Sequence, residues 1–250
     1  MSMTLETIRA AHARIASYIV QTPLLRLPAL DDALGCEVYV KAECMQRTGA
    51  FKLRGAMNKI LALTDAERGA TMVPPFNDEL VMAGQGTVGL EIMAQCPEID
   101  AVVVPVSGGG LIGGVSTAVK ALAPRVRVFG AEPAALPRYT ASLRAGHPVQ
   151  VEQKRSIADA LVAQTPGDVC FPYVAAHTDG FADVADADIL RGMKLLLLEG
   201  KLLCEPSSAI GIGAALRGQL PVRRGDKVCF VISGGSVALE QLHQLEDVAL

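Results

Sequence analysis

From residue 101 onward, short apolar runs alternate with segments of helical character, and that alternation leaves few folds open. AVVVPV at 101–106, VRVFGA at 126–131 and KVCFVI at 227–232 have strand length and are largely apolar at successive positions. Strands that are apolar on both sides are buried on both sides, which calls for a parallel sheet covered by helices. Helices are predicted between them over Leu111–Leu122, Ala185–Gly200 and Glu205–Leu216, with Pro206 tolerated in a first turn. Ahead of this region the chain reads as a helix over Thr4–Val20, an extended piece at Leu24–Leu27 and a helical turn at Pro28–Leu34 ended by Gly35. A strand over Val38–Ala42 and a helix over Phe51–Leu63 follow. The Pro-Pro of TMVPPFN at 71–77 excludes a helix or a central strand there. GQGTVGLEIMA at 84–94 reads as a loop feeding a helix, and 134–180 as a helix at Leu136–Ala145 with loop and short extended pieces around it. The fold class is therefore α/β: an open, mostly parallel twisted sheet with helices on both faces.

Composition narrows the function. Half of the 250 residues are hydrophobic and mean hydropathy is +0.33, ample for a buried core. A net charge of −3, no Trp and few other aromatics offer no surface for nucleic acid. No run has the length of a membrane span, and the N-terminus reads as an amphipathic helix with no signal-peptide core, so a cytoplasmic protein is expected. The six cysteines are scattered without a CxxC pair, as buried small hydrophobes in a reducing compartment would be. The four histidines share no ligand spacing.

Three stretches carry chemistry. Lys52 falls in the first turn of the helix that follows strand 38–42, where the helix dipole disfavours a cation. A lysine with reason to shed its proton is a nucleophile towards a carbonyl, although position alone fits a solvated surface lysine as well. Strand 101–106 runs into Ser107-Gly108-Gly109-Gly110-Leu111 and then a helix, an arrangement that binds anions through backbone amides. The bland alternative is a turn built for tight strand–helix packing. Gly108, Gly110 and Gly113 also satisfy GxGxxG, with Glu132 at the end of the next strand, so a dinucleotide site competes on local grounds. Against it, about a hundred residues precede this loop, and Lys52 and Ser233 are left without a purpose. Strand 227–232 runs into Ser233-Gly234-Gly235, placing a hydroxyl at another strand end, either as a ligand group or as a helix N-cap.

The stretches ECMQRTGAFKLRGAMNKI, VPPFNDELVMAGQGTVGLEI, VVVPVSGGGLIGG, VFGAEP, LLCEPSSAIG and CFVISGGSV together resemble the pyridoxal-phosphate enzymes of fold type II. The resemblance is to the branch of threonine/serine dehydratases, serine racemase and hydroxyaspartate dehydratases, and it covers nearly the whole chain. It implies a tryptophan synthase β-like fold and pyridoxal 5'-phosphate as cofactor. By the same resemblance Lys52 holds the cofactor's aldehyde as a Schiff base, Phe51 packs against the ring, and Ser107, Gly108, Gly109, Gly110 and Leu111 cradle its phosphate. Ser233 meets the ring nitrogen, while Glu205 and Gly234 line the floor. The implied activity is that of a lyase: elimination of the β-hydroxyl from a small β-hydroxy amino acid, giving a 2-oxo acid and ammonia. An amino-acid racemase, a non-catalytic cofactor-binding remnant and a nicotinamide oxidoreductase are the alternatives. Relatives are often dimers, and a homodimer is expected.

The sequence departs from the family in three places. Relatives carry a second, smaller domain with a Ser-x-Gly-Asn-His stretch between the Lys helix and the VPPF segment; here Ala70 passes directly to Thr71, and residues 1–250 read as the large cofactor-binding domain alone. A piece on the order of 80 residues is missing from that junction. Relatives bind a divalent ion through an acid matching Glu132 and another six residues on, where this chain has Arg138, so no metal is expected. Ala158-Asp159-Ala160 replaces the ADG of relatives, which puts a close backbone contact in question.

Overall fold

The apolar runs form the middle of one six-stranded sheet. In the computed structural model, which describes residues 2–64, 67 and 72–250, the strands are β1 (Leu24–Arg26), β2 (Glu37–Ala42), β3 (Ala101–Pro105), β4 (Arg127–Pro133), β5 (Gly180–Val184) and β6 (Lys227–Ile232). Their order across the sheet is β1-β2-β6-β3-β4-β5. Only β1 runs antiparallel to its neighbour; the other pairings are parallel. The last strand in sequence thus lies between the second and the third. The 70/71 junction, where the sequence reading sets the missing domain, lies outside the described residues.

Helices cover both faces. Over one face lie α2 (Asp31–Leu34), α8 (Asp186–Leu198) and α9 (Pro206–Leu216), whose Ile189, Met193, Ile210 and Ala214 pack with Val38, Val103 and Phe230 of the strands. Over the other lie α4 (Glu79–Gln95), α5 (Gly110–Leu122) and α7 (Phe171–His177), joined to Val102, Val104 and Cys229. The chain also forms α1 (Leu5–Ile15), α3 (Lys52–Ala62), α6 (Arg138–Ala145) and α10 (Leu239–His243).

Three sequence expectations change. GQGTVGLEIMA is not a loop: it is the interior of α4. Its glycines sit where other backbones press on the helix. A Cβ at Gly84 would come within 2.6 Å of the Arg54 carbonyl oxygen, and one at Gly86 within 2.9 Å of that of Gly114. Close helix contact, and not a break, explains glycine there. In the second half, α7 occupies part of the 134–180 stretch read mainly as loop, and β5, assigned to no element, begins at its last residue; Pro172 is in the first turn of α7, where its missing N–H is harmless. Helix α1 ends at Ile15, well short of Val20.

Candidate active site

Three neighbouring parallel strands, β2, β6 and β3, each deliver one of the sequence motifs at the same edge of the sheet. Open α/β sheets bind ligands beyond the carboxyl ends of their strands. β2 leads through a short 3-10 turn (Glu43–Met45) to α3, whose first residue is Lys52. β6 ends at Ile232, next to Ser233, and β3 at Pro105, just before the glycine turn. The first two segments are stapled together: Phe51 N–H donates to the Ser233 carbonyl at 3.0 Å, and Gly235 N–H to that of Gly49 at 2.9 Å. Between them and the glycine turn is a cleft of about 520 Å³, lined by Phe51, Lys52, Ser107–Leu111, Glu205 and Ser233.

Two carbonyls of the segment that forms the glycine turn are tied by hydrogen bonds. Arg138 donates from Nη1 to the Val106 carbonyl at 2.9 Å, and the Tyr139 hydroxyl to that of Gly108 at 3.1 Å. Gly167 N–H adds a bond to the same Gly108 oxygen at 2.9 Å. Because α5 starts at Gly110, the amides of its first turn have no acceptor within the helix and remain for a ligand. Gly109 has φ +103°, and a Cβ there would overlap the Tyr139 hydroxyl, so the turn cannot be built from residues with side chains. The ring of Phe76 closes against Gly108 in the same way.

Lys52 is exposed at the cleft, while Arg54, one side of the helix further on, is fully buried. Arg54 donates to Glu43 from Nε (2.7 Å) and Nη2 (2.8 Å), and to Glu91 from Nη1 (2.6 Å) and Nη2 (2.9 Å). Lys41 meets the same Glu91 at 2.6 Å. Burial opposes the charge on Arg54, but the two carboxylates outweigh it and raise its pKa. This cluster fixes the start of α3 against β2 and α4. Glu205, half-buried, has its carboxyl raised above the ordinary range chiefly by burial, with nearby Lys52 pulling the other way and Asp159 adding to the rise.

Ser233 caps no helix, since α10 begins only at Leu239. Its hydroxyl lies 2.9 Å from that of Ser208 on α9. Gly234 is not on the cleft wall as expected from sequence. It lies behind, its N–H donating to Ser208 Oγ at 2.7 Å, and a Cβ there would press within 2.9 Å of the Glu205 carboxyl. Ser107 lines the cleft but also receives the Ala163 N–H at 3.2 Å. Ala160, at the departure from ADG, gives its N–H to Ser207 Oγ at 3.0 Å, so that segment is anchored without glycine.

Glu132 turns inward, to the start of α6. It is fully buried, and its two oxygens accept the N–H groups of Tyr139 (3.0 Å) and Thr140 (2.8 Å) at the start of α6. Burial pushes its carboxyl up to about 7, against those two amides and Arg138. The dinucleotide reading loses its acid. Among the described residues no group of three or more His, Cys, Asp and Glu is placed to hold a metal.

Several contributors escaped the sequence reading: Pro75, Phe76 and the segment Ala160–Ala163 on the cleft wall, and Tyr139 and Ser208 behind it. The VPPF string and the Ala158-Asp159-Ala160 departure carried a signal. The others act through contacts distant in sequence.

An amine at the mouth, a side-chain-free turn whose amides await an anion, and a hydroxyl on the adjoining wall fit a phosphate-tailed aldehyde in a cleft of ordinary ligand size. Fold and site thus define a class: α/β enzymes that carry such a cofactor on a lysine. The chain belongs to the pyridoxal-phosphate dependent enzyme family, whose pattern it matches over residues 15–70 and 61–234. It is 32% identical to L-threonine ammonia-lyase of Thermotoga maritima over 314 residues, covering 97% of this chain and 78% of that one. It is equally 32% identical to serine racemase of Oryza sativa over 310 residues, covering 94% and 91%. The structure of maize serine racemase superposes with a TM-score of 0.91 at 31% identity, covering 98% and 97%. The chain therefore stands among pyridoxal-phosphate-dependent ammonia-lyases, dehydratases and serine racemases.

Proposed function

We propose that this chain holds pyridoxal phosphate on Lys52 and eliminates the β-hydroxyl of a serine- or threonine-like amino acid, releasing a 2-oxo acid and ammonia. The observation that carries the reading is the convergence of Lys52, the Ser107–Leu111 turn and Ser233 on one cleft. Bound pyridoxal phosphate supplies an electron sink that acidifies the Cα–H of an amino acid joined to it. The amides of Gly108, Gly109, Gly110 and Leu111 hold the anionic tail, and Phe51 packs against the ring. Lys52 Nζ, at the mouth of the cleft, would take the Cα proton once the substrate's amine has replaced it on the cofactor. Ser233 offers the ring nitrogen a neutral hydroxyl and no carboxylate, so nothing there stabilises a proton on the ring. A weaker sink would favour use of the Cα electron pair in a Cα–Cβ double bond, with the C–O pair leaving on the β-hydroxyl, which takes up a proton and departs as water; this favours the lyase reading over the racemase.

The reading includes the absence of the family's second domain at the 70/71 junction. Support comes from the aligned span of 314 positions, longer than this 250-residue chain, from a family match divided into two stretches that meet at 61–70, and from the exposure of Lys52. That exposure also favours a second reading, a cofactor holder without turnover, because nothing described covers the amine against water.

Incubation with pyridoxal phosphate should produce a visible absorption band that borohydride bleaches, leaving the cofactor's mass on a peptide containing Lys52, and Lys52→Ala should abolish both. L-serine or L-threonine should then yield a 2-oxo acid. A protein that takes up no cofactor ends the proposal. Labelled protein that forms no oxo acid leaves the holder, and D-serine formed from L-serine without oxo acid points to the racemase.

A further inference from the structure

The geometry points to Ser208 as a positioning residue that sets the direction of the Ser233 hydroxyl and so the strength of its bond to the cofactor's ring nitrogen. The inference rests on the reading that Ser233 faces that nitrogen. Ser208 and Ser233 are 1% and 4% exposed, so water does not compete for their protons. Ser208 Oγ lies 2.9 Å from Ser233 Oγ, 2.7 Å from Gly234 N and 2.9 Å from the Gly234 carbonyl oxygen.

A hydroxyl has one proton and two acceptor lone pairs. The Gly234 N–H can only donate, so it occupies one lone pair of Ser208. The single Ser208 proton then has two claimants, the Gly234 carbonyl and Ser233 Oγ. If it goes to the carbonyl, the remaining Ser208 lone pair takes the Ser233 proton, and Ser233 presents only lone pairs to the cleft. If it goes to Ser233, the proton of Ser233 is freed to point at the cleft as a donor. The Gly234 carbonyl is not stranded by that choice, because Glu205 N–H already donates to it at 3.2 Å.

An unprotonated pyridine nitrogen is an acceptor and selects the second arrangement. The result is a chain of donors running Ser208 to Ser233 to ring nitrogen, in which each hydroxyl that accepts a bond becomes a better donor. Alanine at 208 would fill nearly the same space and leave Ser233 able to donate, but without that reinforcement.

The experiment loads wild type, Ser208→Ala, Ser208→Cys, Ser208→Thr and Ser233→Ala with pyridoxal phosphate carrying ¹⁵N in the ring and reads the nitrogen's chemical shift by NMR. Ser233→Ala should move the resonance towards that of a nitrogen without a donor. Ser208→Ala should move it the same way by about a tenth to a third as much. Ser208→Thr should restore the wild-type position, which a merely space-filling role would not require. Ser208→Cys keeps the volume with a weaker donor and should also displace the resonance, so the inference stays testable if the alanine variant fails to fold. A wild-type shift in folded Ser208→Ala or Ser208→Cys, with Ser233→Ala displaced, overturns the role of Ser208 alone. An unmoved resonance in Ser233→Ala overturns the assignment of Ser233 to the ring nitrogen, and the inference with it.

Discussion

At Gly109 a single missing methyl group decides whether the anion-binding turn can exist. The residue combines a left-handed φ of +103° with a neighbouring Tyr139 hydroxyl that occupies the space of a Cβ. Gly109→Ala should therefore cost about 3 kcal/mol in urea unfolding, from backbone strain and overpacking together, and should lose cofactor retention in dialysis. Glu132 makes a prediction in pH. Its carboxyl, raised to about 7 by burial, binds a proton more tightly in the folded chain than in the unfolded one. That contribution is complete below the ordinary carboxylate range and is lost as pH rises through about 7. Stability measured against Glu132→Gln should fall between pH 4.5 and 7 by at most about 3 kcal/mol; a flat difference would show that the amides of Tyr139 and Thr140 hold the carboxylate charged. Lys52, the three glycines and Ser233 were legible in sequence because each stands beside a strand or helix boundary that its own neighbours reveal. Tyr139 and Ser208 were not, because the Gly108 carbonyl and Ser233 that they touch lie 31 and 25 residues away along the chain.

Elements, in turn, hold those residues in place. Helix α3 is pinned by Arg54, whose partners come from the turn after β2 and from α4. Removing one member of a buried ionic set strands the rest, so Arg54→Met should destabilise by about 3–5 kcal/mol in chemical denaturation. Arg54→Lys should recover part of this, since an ammonium cannot reproduce the planar fork. The same reasoning explains the misreading of α4. Glycine marks loops in most sequences, and GQGTVG looks like punctuation; only the approach of Arg54 and Gly114 reveals why a helix should be bare there. Gly86→Ala should accordingly raise no helix content and instead lower the midpoint of thermal unfolding, by overpacking α4 against α5. The α7–β5 region defeated sequence reading for another reason: β5 has a mixed burial pattern, and its partner β4 is more than forty residues earlier.

For the whole molecule, the parallel sheet with two helical layers followed from the apolar runs alone, but the order of its strands did not. No local pattern told β6 to enter between β2 and β3. The exposed amine also has a whole-molecule signature: with cofactor bound, hydroxylamine should strip it rapidly. Inserting a relative's second domain at the 70/71 junction should slow that release by about tenfold or more if the domain is what excludes solvent.

The place of β6 bears on how such a protein is made. Until β6 has entered the sheet, the β1-β2 ribbon and the β3-β4-β5 trio share no strand pairing. A chain stopped before Lys227 would lack the strand between β2 and β3 and the Ser233 wall of the cleft, leaving its lysine helix and its glycine turn bridged only across the helical layer, through α4. Vitamin B6 should accordingly be retained only once β6 is in place, and a chain cut before Lys227 should give no band that borohydride bleaches.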